Sequence, residues 1–434
     1  MSEPASWGRY PRARHRAVVA LRHRDSALPD FERPALPHGN GRSYGDVCLN
    51  DGGTLLMTRG LDRFIAFDPA SGVLRCEAGV LLSDILDLVV PQGWFLPVTP
   101  GTRFVTVGGA IGNDVHGKNH HRAGCFSEHV RCLELLRSDG SRLICSRDAN
   151  HDWFLATAGG LGLTGVITWA ELQLRRIASP WMNVESHRFH NIDEFLALSA
   201  ASEQDFEYGV AWIDCAATGK ALGRGHFIRA NHAPALAEGP AAKRRRLRVP
   251  MTPPISLING MSLRAFNTLY FHRQRQAVQH DISHYQPYFY PLDAIEQWNR
   301  IYGPRGFLQY QCVVPPVAAR EALNELLRAI SASGTGSFLA VLKVFGERRS
   351  GGILSFPRPG ATLALDFPNA GQATLDLLDR LDAVVAAAGG AVYPAKDARL
   401  SASRFRQFFP AWESIRPFLD PAMSSGFWRR VAES

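Results

Sequence analysis

The chain contains no apolar run approaching the roughly 18 uncharged residues that a membrane-spanning helix needs. Its opening stretch, MSEPASWGRYPRARHRAVVALRHRD, is charged and lacks the apolar core of a secretory signal. These absences point to a soluble, cytoplasmic-type protein, at most peripheral at the inner face of a membrane. Cysteine is scarce and scattered: Cys48, Cys76, Cys125, Cys132, Cys145, Cys215 and Cys312. The number is odd and no pair has C-x-x-C spacing, which argues against a disulfide scaffold and against the common zinc and redox motifs. Internal repeats and low-complexity tracts are also missing, which excludes solenoids and disordered tails.

What is present describes an ordinary globular chain. Its 434 residues are 46% hydrophobic and 20% charged, with 39 Gly and 27 Pro. That length predicts two or three domains, because single cores stop growing near about 250–300 residues. Lys and Arg number 48 against 40 Asp and Glu, a net charge of +8. Such a balance suggests an anionic partner without naming it. The densest basic run, Lys243–Arg248, has no aromatic residue interleaved for base stacking, so nucleic acid is not the expected partner. Flanked by Pro240 and Pro250, it reads as a flexible surface loop with some attraction for an anionic membrane.

Periodicity gives an α+β organisation with mixed sheets and at least two cores. Residues 54–58, 72–77 and 166–174 read as strands, and 81–90 as a helix. Residues 129–146 read as two strands turning at Ser138-Asp139-Gly140. Further along, helices are expected over 192–202, 318–333 and 373–389, and strands at 208–213, 226–230, 337–346 and 390–395. The literal G-x-G-x-x-G at Gly160–Gly165 leads into the strand at 166–174 rather than a helix. A Rossmann phosphate site is therefore rejected.

Two other glycine-rich segments carry more. In His38-Gly39-Asn40-Gly41-Arg42-Ser43-Tyr44-Gly45-Asp46, the glycines permit positive φ, and Arg42, Ser43 and Tyr44 add donors. The segment is either a phosphate cradle or a tight surface turn. Residues 99–121 are mostly small or hydrogen-bonding and pack poorly alone, so they are expected to wrap a ligand. Inside them His116 and His120 have H-x-x-x-H spacing. Gly117 and Asn119 argue for a loop there, so no metal site is expected.

Candidate reactive side chains are few. Lys396 follows an apolar strand, and by pattern alone it reads as an exposed loop lysine. Lys343 interrupts an apolar strand and is either an outward-facing charge or a ligand-facing one. Gln309 and Gln311 share one strand face, with Tyr310 on the other, which suits a polyol or a solvated sheet.

Taken together, GNGRSYGD (39–46), PGTRFVTVGGAIGNDVHGKNHH (100–121) and GGLGLTGVI (159–167) resemble the FAD-binding domain of vanillyl-alcohol-oxidase (PCMH) type flavoproteins. HGKNHH, FLQYQ, SFLAVLKVFG, LSFPRPG, LALDFP and YPAKD, in this order, resemble the decaprenylphosphoryl-β-D-ribose 2′-oxidase family from about Trp7 onward. The resemblance implies a two-subdomain FAD-binding domain over 1–177, completed by 391–434. An inserted substrate domain, 178–390, would have an antiparallel sheet and flanking helices. FAD contacts are implied for residues 38–46, Gly101, Thr106, Val107, Gly108, Gly109, Asn113, Asp114, Val115, His116, Ile167 and Tyr393. Covalently flavinylated relatives carry a histidine at the position of Arg42, so FAD is expected to be non-covalent. Lys396 matches the active-site lysine; Gln309, Gln311 and Lys343 match substrate positions. The implied reaction oxidises a secondary hydroxyl of a lipid-linked phosphosugar to a ketone, which a separate NAD(P)H-dependent reductase then reduces, inverting one carbon. An alditol or aldonolactone oxidase acting on a free sugar is the alternative on the same fold. The chain departs from the family pattern at Ala364, where actinobacterial members carry cysteine, and in the order Tyr288-Phe289-Tyr290. Both departures are expected to touch the substrate pocket.

Overall fold

A computed structural model describes residues 3–234 and 247–433. It is an α+β molecule built on three larger sheets. Strands Ala17–Ala20, Thr54–Met57 and Ala35–His38 form a small parallel sheet with Thr54–Met57 in the centre. A five-stranded antiparallel sheet runs in the order Phe64–Asp68, Val73–Glu77, Val166–Gln173, Val130–Leu136, Arg142–Ser146. The largest sheet is antiparallel and eight-stranded. Its order is Val278–His284, Trp181–Phe189, Gly225–His232, Tyr208–Ile213, Val341–Phe345, Gly360–Pro368, Phe307–Val314, Ala391–Val392.

Local chemistry explains the elements that carry these sheets. Helix Leu82–Val89 turns Leu82, Ile85, Leu86 and Val89 to one side, where they pack with Leu74, Leu133 and Leu172 of the five-stranded sheet. Helix Ala319–Ser333 does the same with Leu323, Leu326, Leu327 and Ile330, against Val313, Leu363 and Leu365 of the large sheet. Each such side chain removed from water contributes about 1.5–3 kcal/mol. Gly334, at φ +70°, ends that helix in the left-handed conformation that favours glycine. Helix Ile192–Ser202 starts where the Asn191 side chain accepts from the Glu194 amide. The hairpin 130–146 closes through Arg137 and Ser141, with Gly140 at φ +85°.

Two segments show more than the pattern indicates. Residues 99–121 are not continuous loop: Val107–Gly112 is helical, because Thr106 caps it and Val107, Ala110 and Ile111 bury its inner side. The loop expected over 240–250 lies outside the described residues as far as 246. Beyond that point Leu247–Arg248 form a short strand parallel to Ile295–Glu296, and the Val249 and Pro250 carbonyls accept from Arg300.

After Ala391–Val392 joins the edge of the large sheet, the chain turns back to the first third of the molecule. Arg137 donates to the Phe418 and Leu419 carbonyls, and Asp420 accepts from the Ser138 amide and hydroxyl at 2.7 and 2.6 Å. Arg430 bridges Asp46 and Asp397 at 2.7 and 2.9 Å. All seven cysteines are free thiols.

Candidate active site

A cavity of about 310 Å³ lies where the large sheet meets the glycine-rich segments of the first 170 residues. One wall is the sheet. In Phe307–Val314, alternation sends Leu308, Tyr310 and Cys312 into the core beneath the helices, and Gln309 and Gln311 into the cavity. Antiparallel register sets Asp366 opposite Gln309 and Ala364 opposite Gln311, and Thr362 opposite Lys343. The opposite wall is made by residues 39–44, by Thr106 to His116, and by the turn from Thr157 to Ile167. Tyr393, Ala395 and Lys396 close the floor.

Gly39, Asn40, Gly41, Arg42, Ser43, Tyr44, Gly101, Thr106, Gly108, Gly109, Asn113, Val115, His116, Ile167, Tyr393, Gln309, Gln311, Lys343 and Lys396 all line this space. Five of the expected contacts do not. His38 is buried behind the wall, its ring held 2.8 Å from the Cys48 carbonyl. Gly45 is pressed against Asp397, and Asp46 is the carboxylate partner of Arg430. Val107 faces the helix core. Asp114 turns inward to accept from the Ser127 amide and the Ser350 and Ser355 hydroxyls. Tyr288, Phe289 and Tyr290 also sit in the core rather than the cavity, whereas Ala364 lines it.

The glycines of the 39–45 loop serve different ends from those expected. Only Gly41, at φ +59°, uses the left-handed region. At Gly39 a Cβ would stand 2.4 Å from the Thr106 hydroxyl, and at Gly45 it would stand 1.6 Å from the Asp397 carbonyl. Close approach, not turn geometry, requires glycine at both. Lys396 depends on that approach: Tyr44 donates its amide to the Ala395 carbonyl, and the Lys396 ammonium lies 4.0 Å over the Tyr44 ring.

The site is rich in partly buried cations. Burial lowers the Lys396 pKa to about 7; the Asp366 carboxylate works against that shift and the Lys343 charge adds to it. Lys396 is therefore not the exposed loop lysine that pattern suggests. Burial also lowers Lys343 to about 8, and its ammonium donates to the Gly117 carbonyl at 3.3 Å. Lys343 lines the cavity. Burial, with Lys343 nearby, keeps His116 neutral, so its Nε2 accepts from the Gln311 amide at 2.9 Å.

Asp366 also lines the cavity, and no motif in the sequence singles it out. Its pKa is raised to about 6, first by burial, and it accepts from Gln309 at 2.6 Å and from the Tyr302 hydroxyl at 3.4 Å. The signal was available in LALDFP: an acidic residue alternating with buried Leu363, Leu365 and Phe367 must face either water or a site. Leu161, Gly162, Thr164 and Gly165 were passed over too, because the rejected nucleotide motif was read for a helix it does not precede.

The lining can be tested against a long, polar, anionic ligand such as FAD. Three of its buried polar atoms, Arg42 Nε, Asn113 Oδ1 and His116 Nδ1, have no partner among the described residues. An unpaired buried polar atom costs about 1–3 kcal/mol, which a bound ligand offsets. Gly101 meets nothing within 4 Å, leaving room at one end. The residues fit FAD.

Comparison with known proteins supplies the family. Residues 26–146 match the FAD binding domain family. The chain is 36% identical to decaprenylphosphoryl-β-D-ribose oxidase of Mycolicibacterium smegmatis over 417 residues, covering 93% of this chain and 90% of that protein. It is 34% identical to L-gulonolactone oxidase of Mus musculus over 137 residues, 31% of this chain and 30% of that protein. It is 29% identical to cytokinin dehydrogenase 7 of Oryza sativa subsp. japonica over 203 residues, 44% of this chain and 38% of that protein. Among the described residues no helix is long and apolar enough to cross a membrane.

Proposed function

The chain belongs to the family of FAD-dependent oxidases that includes decaprenylphosphoryl-β-D-ribose oxidase, and from that premise we propose that it oxidises a secondary hydroxyl of a polyprenyl-phosphate-linked sugar to a ketone. In this reading residues 1–177 and 391–434 hold FAD, and 178–390 supply the sugar site. The carrying observation is the cluster Lys396–Asp366–Gln309 on the cavity floor and wall. FAD, when bound, supplies at N5 the acceptor for the hydride that leaves the sugar carbon.

The chain's own residues do the rest. With a pKa near 7, Lys396 holds a substantial neutral fraction at neutral pH, and its amine takes the hydroxyl proton as the ketone forms. Asp366 stabilises the resulting ammonium. Gln309 donates to Asp366 and also meets the Tyr44 hydroxyl; Gln311 is fixed by His116 and by Thr362 at 3.2 Å. Lys343, largely protonated below its pKa of about 8, suits the substrate phosphate. A closed site orients the reacting carbon and excludes water.

Cofactor attachment is proposed to be non-covalent. Arg42 offers no atom for a flavin bond, and its guanidinium lies 4.0 Å over the Trp7 ring. Acid precipitation of the holoenzyme should release the yellow chromophore into the supernatant; colour retained in the pellet overturns this. A separate NAD(P)H-dependent keto-sugar reductase is the partner this chemistry requires to complete an epimerisation.

The test of the whole reading is anaerobic mixing with two substrates. A polyprenyl-phosphate pentose should bleach the flavin band much faster than the free sugar. Equal rates would transfer the assignment to an alditol or aldonolactone oxidase, the reading that the shorter L-gulonolactone oxidase match represents.

A further inference from the structure

We infer that the outer face of residues 247–273 is a docking surface for an anionic lipid bilayer, which it holds beside the active-site cavity. Among the described residues, seven of the twelve exposed large hydrophobic side chains fall between Leu247 and Leu269. Met261 is 84% exposed, Leu269 73%, Ile255 72% and Met251 71%. Scattered exposed hydrophobics are ordinary, but their concentration in one short segment is what an interaction site would need.

The helix Gly260–His272 is amphipathic in an unusual sense. Its inner side buries Leu263, Asn267 and Phe271, while Met261, Ala265 and Leu269, at steps of four, line up on the outer side. At 13 residues it is about 20 Å long, too short to cross a bilayer and suited to lying in its surface. The same segment forms the outer layer of the cavity wall. Ile258 packs with Trp298, which lines the cavity. The Phe266 ring lies 4.7 Å from that of Phe338, whose neighbour Leu339 also lines it.

Charge decides the occupant. From Gly239 to His280 the sequence has eight Lys and Arg and no Asp or Glu. Lys243, Arg244, Arg245 and Arg246 lie outside the described residues; the other four, Arg248, Arg264, Arg273 and Arg275, belong to the described segment and have no acidic neighbour in it. A second copy of the chain would bring the same positive field to the contact and repel it. An anionic headgroup layer is attracted by the arginines and accepts the apolar side chains. The usefulness of this face to catalysis rests on the lipid-linked substrate proposed above, but binding to the bilayer does not.

Flotation of the holoenzyme with vesicles tests this, without substrate. Equimolar phosphatidylglycerol and phosphatidylcholine vesicles should carry the protein, pure phosphatidylcholine should carry at least tenfold less, and high salt should release it. Arg264→Gln with Arg273→Gln should lower partitioning by about 25-fold, roughly fivefold for each charge. Met261→Gln with Leu269→Gln should lower it at least tenfold. All four side chains are exposed, three on the helix and Arg273 just past its end, so flavin absorbance and thermal unfolding should match the parent. Binding no better to anionic than to neutral vesicles overturns the inference. So does undiminished binding by the variants, or a dimer in sedimentation velocity that the Met261/Leu269 variant dissociates while vesicle binding persists. Vesicle binding with no oxidation of a lipid-linked sugar would instead overturn the proposed function and leave this surface standing.

Discussion

Replacing Asp366 by Asn should make the enzyme faster, relative to its own plateau, on the acid side of neutrality. In the proposed reaction Lys396 acts as a base only when neutral, and its pKa near 7 reflects burial opposed by the Asp366 carboxylate. Removing a facing carboxylate lowers the pKa of such an amine by about one unit. At pH 6.5 the neutral fraction then rises from about a quarter to about three quarters, a gain of about threefold. At pH 8 it is already about nine tenths, and the change is negligible. The sign follows from the cation: a lowered pKa extends the neutral form to lower pH. Asp366 also accepts from Gln309 and Tyr302, so the variant's plateau should fall as those contacts loosen. The assay is therefore anaerobic flavin bleaching at saturating substrate between pH 6 and 8.5, each enzyme scaled to its own maximum. An acid limb that stays in place, or moves to higher pH, refutes the coupling of Asp366 to Lys396.

Lys396→Met should retain FAD but lose substrate-driven bleaching by at least about 10²-fold, the usual contribution of a positioned base; near-parental bleaching would remove its role. Gly45→Ala places a methyl group 1.6 Å from a backbone carbonyl and should cost about 3 kcal/mol in urea unfolding, with weakened FAD retention; an unchanged midpoint would show that the loop yields freely. Arg430→Met removes the cation shared by Asp46 and Asp397, both buried, and should destabilise the protein by about 3 kcal/mol at pH 7. That loss should shrink on acidification. Burial opposes ionisation of Asp397, but Arg430 and Arg399 together hold its pKa below the ordinary value. Its share of the stability is therefore present above about pH 4 and disappears as pH falls through the lowered pKa. A stability difference that does not vary with pH would count against this account.

What could be read from the sequence was whatever depends on neighbours in the chain. Helix Ile192–Ser202 has its bounds where pattern put them, because Asn191 caps it and its buried side repeats locally. The hairpin over 130–146 follows from Asp139-Gly140 alone. Features set by distant partners were hidden. Nothing near Gly45 in sequence announces the Asp397 carbonyl, so its glycine looks like a turn residue rather than a point of contact. Lys396 looks exposed for the same reason, since its burial comes from Tyr44 and from the sheet. The helix Val107–Gly112 was obscured by its three glycines, whose poor propensity is outweighed by the Thr106 cap and by packing.

The polar face of the cavity is, in the end, a consequence of strand register. Pairing Gln309 with Asp366 and Gln311 with Ala364 leaves Tyr310 and Leu365 pointing together into the helix-covered core. Because side chains alternate with a period of two, a one-residue slip of Phe307–Val314 would reverse this arrangement entirely. Tyr310 would enter the cavity, and the two amides would be buried beneath Leu323 and Leu326. The apolar cost of such a slip is borne by many core side chains, so the register of the site is enforced from the side of the sheet that never meets substrate. Ala364 then stands out as a place where the cavity can change without disturbing the fold. It lies on the cavity face, opposite Gln311, with only a methyl group to replace. A larger side chain there would reshape the cavity while the register, and with it Gln309, Gln311 and Asp366, stays in place.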